Sequence, residues 1–518
     1  MKKKLFTLCV LSIILCMIMN SALACTTLYA GSGVTADGNV IFGRSEDYSN
    51  SQNKLFYVAP AGLHPAGEEY AGCYGFTWTF THDSYGYTAF RDDNGEAVEF
   101  VCPDCGGTHA HTPYEAAGTN DQGLTVTATE TLGCAEALEA VDPYEDLGIE
   151  EAEIVTVLLS EAATAKEALT LLTGIYDTAG ANAGSGILIA DSNETWYIEN
   201  VTGHQYIAVK LPDSLVLVQP NMSIIGAIDL DDTENVIASE GLITVAQQAG
   251  TFVGDETANV INYVYSYNEG STPNTRMKDA LAYLMPDAYA GAEEIDPAVY
   301  LMTNLDAEGA VTALHNGIAL NAPMTIADAQ NFYHIHSIGY QRNLETHIFQ
   351  ISPAGGPTGT VEWVAMNDSA CSVFVPYYPL LTSDVADGYK LSTVTATNAE
   401  PDAELPEGTL FYPTTVNKWV DGQRVSMDVL KVLPDNWQDS IYWSFDALSN
   451  LVLYGGLDEA QVNAAYDAVY AKQAEINEAF AAAQESLTTP EAATAWSMQA
   501  AQEAQQLAID LALSLIAK

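Results

Sequence analysis

Cys25, Arg44 and Asp47 are residue types that can carry out nucleophilic amide chemistry if Cys25 begins the mature chain. Met1 to Ala24 has the form of an export signal. Lys2, Lys3 and Lys4 make a positive head, an apolar stretch runs from Leu5 to Met19, and Ala22-Leu23-Ala24 supplies a small-x-small cleavage site. Cleavage there leaves a thiol (ordinary pKa about 8.5) and an α-amine (about 7.7–8.0) on one residue. The amine can accept the thiol proton near neutrality, directly or through water, and later hand it to a leaving nitrogen. Nucleophile and base then come from a single residue, so the chemistry calls for no histidine and no cofactor. Gly43-Arg44-Ser45-Glu46-Asp47 returns beside the chain start if two strands pair about Asp37-Gly38. A cation such as Arg44 at that point lowers a thiol pKa, and Asp47 is placed to orient the amine. By spacing alone, the two residues also fit an ordinary surface ion pair.

Other clusters compete for attention. Of eight cysteines, Cys9 and Cys16 leave with the signal, and Cys25, Cys73, Cys102, Cys105, Cys134 and Cys371 remain. Cys102-Pro103-Asp104-Cys105 with His109 and His111 fits either disulfides to Cys73 and Cys134 or a tight zinc knuckle. The expectation is that no metal serves catalysis. His334-Ile335-His336 alternates as strand neighbours do, and its expected role is in a strand or loop. His204, His347, Trp196, Tyr197 and Trp363 read as packing or hydrogen-bonding residues, and Asp229, Asp231, Asp232 and Glu234 as a solvated loop. A signal ending at cysteine can also be lipidated, but a lipobox places Leu three residues before the Cys, where this chain has Ala22.

The elements that must hold these residues are legible as patterns. Strand-like runs cover Thr26 to Ala30, Val40 to Phe42, Leu124 to Thr129, Gly186 to Ala190, Thr195 to Glu199, Gln205 to Lys210 and Leu215 to Val218. Helical periodicity covers Ala152 to Leu172. Strands in runs and then helices in runs predict an α+β architecture. A Pro, Glu and Thr-rich stretch from Thr395 to Thr415 reads as a long surface loop. Val462, Tyr466, Val469, Ile476 and Phe480 keep helical spacing, and Thr489-Pro490 starts a second helix, so the chain ends in a helical hairpin. The expected division is 1–24 signal, 25–455 catalytic domain and 456–518 terminal helices.

Composition narrows the partners. The 518 residues carry 68 Asp+Glu against 17 Lys+Arg, a net charge of −51. Such a surface repels phosphate backbones and anionic lipid, which argues against nucleic acid. The apolar stretch of the signal falls short of the roughly 20 residues a transmembrane helix needs, and no later segment has that character.

Cys25-Thr26-Thr27, Asp37-Gly38 and Gly43-Arg44-Ser45-Glu46-Asp47 resemble the start of the dipeptidase A family. These are cysteine dipeptidases of the N-terminal nucleophile hydrolase superfamily, related to choloylglycine hydrolases and penicillin V acylase. The resemblance continues in Asn120-Asp121-Gln122-Gly123-Leu124, Glu194-Thr195-Trp196-Tyr197-Ile198-Glu199, Gln219-Pro220-Asn221, Glu345-Thr346-His347-Ile348-Phe349-Gln350 and Ser372-Val373-Phe374-Val375-Pro376-Tyr377-Tyr378. It implies a four-layer αββα fold with the N-terminal Cys at a strand end between the sheets. It also implies Cys25 as nucleophile, with Arg44 and Asp47 supporting it and Asn221 assisting the oxyanion. Glu130 stands where related acylases commonly have Asn, and would bind the substrate ammonium, because a carboxylate is a poor oxyanion donor. Arg276 matches a further substrate-side arginine. Met222-Ser223 departs from the Arg or aromatic residue that commonly follows the Pro-Asn pair, which leaves the specificity open. The expected protein is thus a secreted cysteine dipeptidase acting on small peptides, with a homo-oligomer left open. The alternatives are an N-acyl amidase of the same superfamily and a non-catalytic, lipid-anchored surface protein.

Overall fold

The computed structural model describes residues 25–48, 53–72, 75–92, 100–101, 108–109, 114–268, 272–305, 311–312, 314, 317–391, 396–406, 408–420 and 423–516. Residues 1–24, Cys73, the Cys102–Cys105 motif and His111 lie outside the described residues, and so does the side chain of His109.

Short runs rich in Thr, Val, Ile and aromatic residues make strands because such side chains pack well on a pleated surface. Fourteen of them build two sheets. In chain order they begin with β1 (Thr26–Ala30), β2 (Val40–Asp47), β3 (Lys54–Ala59), β4 (Tyr87–Asp92) and β5 (Glu115–Asn120). Next come β6 (Thr125–Leu132), β7 (Gly184–Ala190), β8 (Thr195–Asn200), β9 (Tyr206–Lys210) and β10 (Val216–Gln219). The last four are β11 (Val236–Ala238), β12 (Asn343–Ile351), β13 (Thr360–Met366) and β14 (Val375–Tyr377). One sheet has six strands in the order β10-β1-β2-β12-β13-β14, and the other has eight in the order β11-β9-β8-β7-β6-β5-β4-β3.

The sheets face one another, and each carries helices on its outer side. Helices α1 (Glu151–Glu161) and α2 (Ala165–Thr178) cover the eight-stranded sheet over an apolar core of Ile154, Leu158, Leu169 and Leu172 against Val126, Ile187 and Ile198. Helix α3 (Thr275–Leu284) packs by β10. Helices α4 (Ile326–Tyr333), α5 (Ile441–Tyr454), α6 (Glu459–Ala483) and α7 (Pro490–Ile516) cover the six-stranded sheet. This is the expected αββα layering with the terminal helical hairpin. The hairpin shares the core it covers: Phe480 meets Trp363 of β13 at 5.4 Å between ring centroids. Gln473 bonds both the amide and the carbonyl of Phe374, at 2.6 and 3.1 Å. No helix among the described residues is long and apolar enough to cross a membrane.

Two local expectations need correction. The periodic stretch 152–172 is two helices rather than one. Ala162 is extended, and Thr164 caps α2 by accepting a hydrogen bond from the Glu167 amide at 3.2 Å. The apolar period continues through the break because both helices lie on the same sheet. Both ends of 395–415 are strand, and the loop is confined to the residues between them. Thr397–Ala399 and Phe411–Val420 flank Gln423–Val432 in a small antiparallel sheet, where Pro413 is tolerated because its strand is at the edge. Of the strand or loop expected for His334 and His336, the structure shows the loop. They follow the end of α4, where His334 stacks on Tyr470 at 4.5 Å and His336 meets Tyr466 at 5.0 Å.

Candidate active site

β1 is paired on both sides, by β10 through Thr27↔Gln219 and by β2 through Thr27↔Arg44. The hairpin turns at Gly38, whose φ of 76° suits glycine. Cys25 stands just before this clamped strand, buried and with a free thiol. Burial pushes the thiol up to about 12, partly countered by the Arg44 charge and the Thr129 side chain, while Glu151 and Asp47 add to the rise.

Arg44 projects from β2 into the space between the sheets and is fully buried. Its Nη1 stands 3.8 Å from the Cys25 sulfur and 2.6 Å from Glu151 Oε1, and its Nη2 donates to the Ala116 carbonyl of β5 at 3.3 Å. Its ion-pair partners are therefore Glu151 and, at 3.9 Å, Glu345 rather than Asp47, and neither pair is on the surface. Glu151 opens α1, where a carboxylate is favoured by the helix dipole. Its other oxygen accepts the Glu130 amide at 2.7 Å, and Tyr114 donates its hydroxyl to Oε1 at 2.5 Å.

Asn221 follows Pro220 and adopts φ 52°, a left-handed conformation that asparagine tolerates. Helix α3 supplies the residue that holds it. Asn274 caps that helix by accepting the Met277 amide at 3.1 Å, and its own Nδ2 donates to the Pro220 carbonyl at 2.5 Å. Arg276 follows in the first turn, a place where the helix dipole disfavours a cation. Several acceptors offset this: Thr26 Oγ1 at 2.9 Å, Asn221 Oδ1 at 2.7 Å and the Cys25 carbonyl. The Arg276 hydrogen bond to Asn221 Oδ1 fixes the orientation of the side-chain amide.

Asp47 ends β2. In the register Thr26↔Ser45 it lies one residue beyond the position opposite Cys25. Asn343 of β12 donates to Oδ1, and Oδ2 is buried with no hydrogen-bond partner among the described residues. Burial pushes the carboxyl up to about 8 against the opposing Arg276 charge and Asn343 hydrogen bond. β2 and β12 lose register between Asn343 and Glu345, and β6 and β7 do so between Glu130 and Leu132. Such bulges re-aim side chains, and both lie at residues of this site.

The structure thus brings Cys25, Arg44, Asp47, Asn221 and Arg276 to one end of the six-stranded sheet. Glu130 joins them through its backbone amide on Glu151, while its side-chain charge acts on Tyr144, beside Cys134. Sequence reading missed Glu151, Tyr114 and Asn343. Glu151 reads as one acid among several at a helix start, and only the tertiary fold sets it against Arg44. Cys134 and Cys371 are free thiols, and no cluster of metal ligands occurs among the described residues. A cavity of about 1030 Å³ lies past the other end of β1, lined by Tyr29, Asp213 and Thr303 among others, and contains none of the site residues.

The chain is 32% identical over 299 residues to a probable dipeptidase B of Streptococcus pyogenes serotype M1, covering 57% of this chain and 55% of that one. It is 29% identical over 371 residues to a probable dipeptidase of Salmonella dublin, covering 70% and 82%. The chain spans about half the length of the streptococcal relatives it matches. Among solved structures, penicillin V acylase from Agrobacterium tumefaciens aligns over 68% of this chain and 85% of that one, with a TM-score of 0.30 and 14% identity. The Peptidase family C69 profile matches residues 24–400, well over half of the sequence and every residue of this site, and the chain belongs to that family.

Proposed function

We propose that this protein is an exported cysteine dipeptidase in which removal of residues 1–24 makes Cys25 the N-terminal nucleophile. The observation that carries the reading is the buried Cys25 thiol 3.8 Å from Arg44 at the head of a doubly paired strand. The dipeptidase names of the relatives agree with it. Burial works against a standing thiolate, so a base must take the proton as the sulfur attacks. The α-amine freed on Cys25 is that base, with Asp47 Oδ2 available to orient it. The sulfur bonds to the peptide carbonyl carbon, the Asn221 amide supports the oxyanion, and the carbon–nitrogen bond breaks as the amine's proton passes to the leaving nitrogen. Water then attacks the thioester, releasing the acid and restoring the thiol. Glu130 supplies a negative charge for the substrate ammonium.

The test is the intact mass of protein purified from an exporting host, followed by hydrolysis of free and N-acetylated dipeptides by wild type and Cys25→Ala. A chain beginning at unmodified Cys25, active on free dipeptides and silent as Cys25→Ala, is expected. A lipidated Cys25, or full turnover by the variant, overturns the mechanism. Equal or better cleavage of the N-acetylated substrates makes the protein an amidase instead.

A further inference from the structure

We infer that Glu151 is a positioning residue that competes with the Cys25 sulfur for Arg44, so that the reactivity of the thiol is set from the first turn of α1. The inference rests on Cys25 being the nucleophile proposed above. One guanidinium nitrogen, Arg44 Nη1, serves both neighbours: Glu151 Oε1 lies at 2.6 Å and the sulfur at 3.8 Å. The shorter contact is a charge-assisted hydrogen bond, and the longer one leaves the sulfur the weaker claimant. The guanidinium has little freedom to move toward the sulfur, since Nη2 is tied to the Ala116 carbonyl at 3.3 Å and faces Glu345 at 3.9 Å. Arg44 and Glu345 are fully buried and the Glu151 side chain is only 13% exposed, a setting where charges act strongly on one another.

Glu151 is itself held from three sides. Arg44 and the Tyr114 hydroxyl share Oε1, and the Glu130 amide occupies Oε2 at the β6 bulge. The same carboxylate therefore restrains the guanidinium beside the nucleophile and the backbone where the substrate-side strand changes register. Consistent with the geometry, the Glu151 charge raises the Cys25 thiol while Arg44 lowers it.

Two substitutions move the thiol in opposite directions. Glu151→Gln keeps the shape and removes the charge, which leaves Arg44 to the sulfur. Tyr114→Phe removes the hydroxyl that neutralises part of Oε1, which strengthens the Glu151 hold on Arg44. The measurement is the rate of iodoacetamide alkylation of Cys25 from pH 6 to 10, read by mass on the Cys25 peptide of the processed full chain. Glu151→Gln should alkylate about 3- to 10-fold faster than wild type at pH 7, the change in thiolate fraction for a midpoint lower by about half to one pH unit. Tyr114→Phe should alkylate more slowly. Glu151→Gln should nonetheless have a lower kcat on dipeptides, because its single side-chain oxygen cannot accept from both Arg44 and the Glu130 amide. An unchanged alkylation profile in Glu151→Gln, or a fall in both variants, would overturn the inference. If Glu151→Gln does not fold, the direction of the Tyr114→Phe change decides alone. Because alkylation needs no substrate, wild type failing on every dipeptide while these shifts appear would reject the dipeptidase reading and leave the role of Glu151 standing.

Discussion

Replacing Glu362 with glutamine removes one titrating group from between the two sheets without altering its shape. Glu362 sits on β13, fully buried, and accepts one hydrogen bond, from the Thr88 hydroxyl of β4 at 2.6 Å. Its Oε1 has no partner among the described residues. Burial pushes the carboxyl up from an ordinary 4.5 to about 8, with the Glu345 charge adding and Thr88 opposing. The folded chain therefore holds a proton here that the unfolded chain releases above about 4.5. The stability from this group is fully present below that pH and is lost as pH rises through about 8. Each pH unit between the two values costs about 1.36 kcal/mol, so from about pH 5 to 7.5 the loss is about 3 kcal/mol. The amide that replaces the carboxyl does not titrate. Urea denaturation of wild type and Glu362→Gln at both pH values reads the difference directly. The variant should gain about 3 kcal/mol on wild type between about pH 5 and 7.5, starting slightly below it at the lower pH. Parallel pH dependence in the two proteins would refute the assignment of a neutral carboxyl to this position.

Three further outcomes are expected. Arg276→Met frees Asn221 Oδ1 and should lower kcat by about 10²- to 10³-fold, the scale of losing one oxyanion donor, with KM and the circular dichroism spectrum little changed; an unchanged kcat would remove Asn221 from the chemistry. Gly43→Ala would drive a methyl into the His347 carbonyl across β2 and β12 and should destabilise by about 1–3 kcal/mol, seen as a lower Tm. A wild-type Tm would contradict the register of those strands. Phe480→Ala removes the ring lying on Trp363, Tyr378 and Trp496 and should destabilise by about 3–5 kcal/mol, with lost near-ultraviolet dichroism; a smaller effect would mean that the hairpin adds little to the core.

The parts of the site that are local in sequence were legible there. The turn at Asp37-Gly38 brings Arg44 back beside Cys25 because a hairpin's register follows from its turn. The apolar spacing from Val462 to Phe480 gave the long helix, since a helix covering a sheet must keep one apolar face. What escaped is tertiary. The Glu151–Arg44 pair joins residues more than a hundred apart and depends on how α1 lies on the eight-stranded sheet. The bulges at Leu132 and Asn343, which aim the surrounding groups, leave no pattern in the strands that carry them. The break at Thr164 was hidden for the opposite reason: two helices on one sheet face share an apolar rhythm that a single long helix also shows.

The seclusion of Cys25 sets an order of events for the processing proposed above. A protease that cuts between Ala24 and Cys25 must draw the residues on both sides into its cleft in extended form. In the folded molecule Cys25 is 4% exposed and Thr26 not at all, and the strand they begin is bonded along both edges. Under the proposed processing, cutting therefore has to come first, while this stretch is still an unpaired ribbon. A molecule that folds with its leader attached would be trapped as an uncut form, beyond the reach of the protease until the sheets open again.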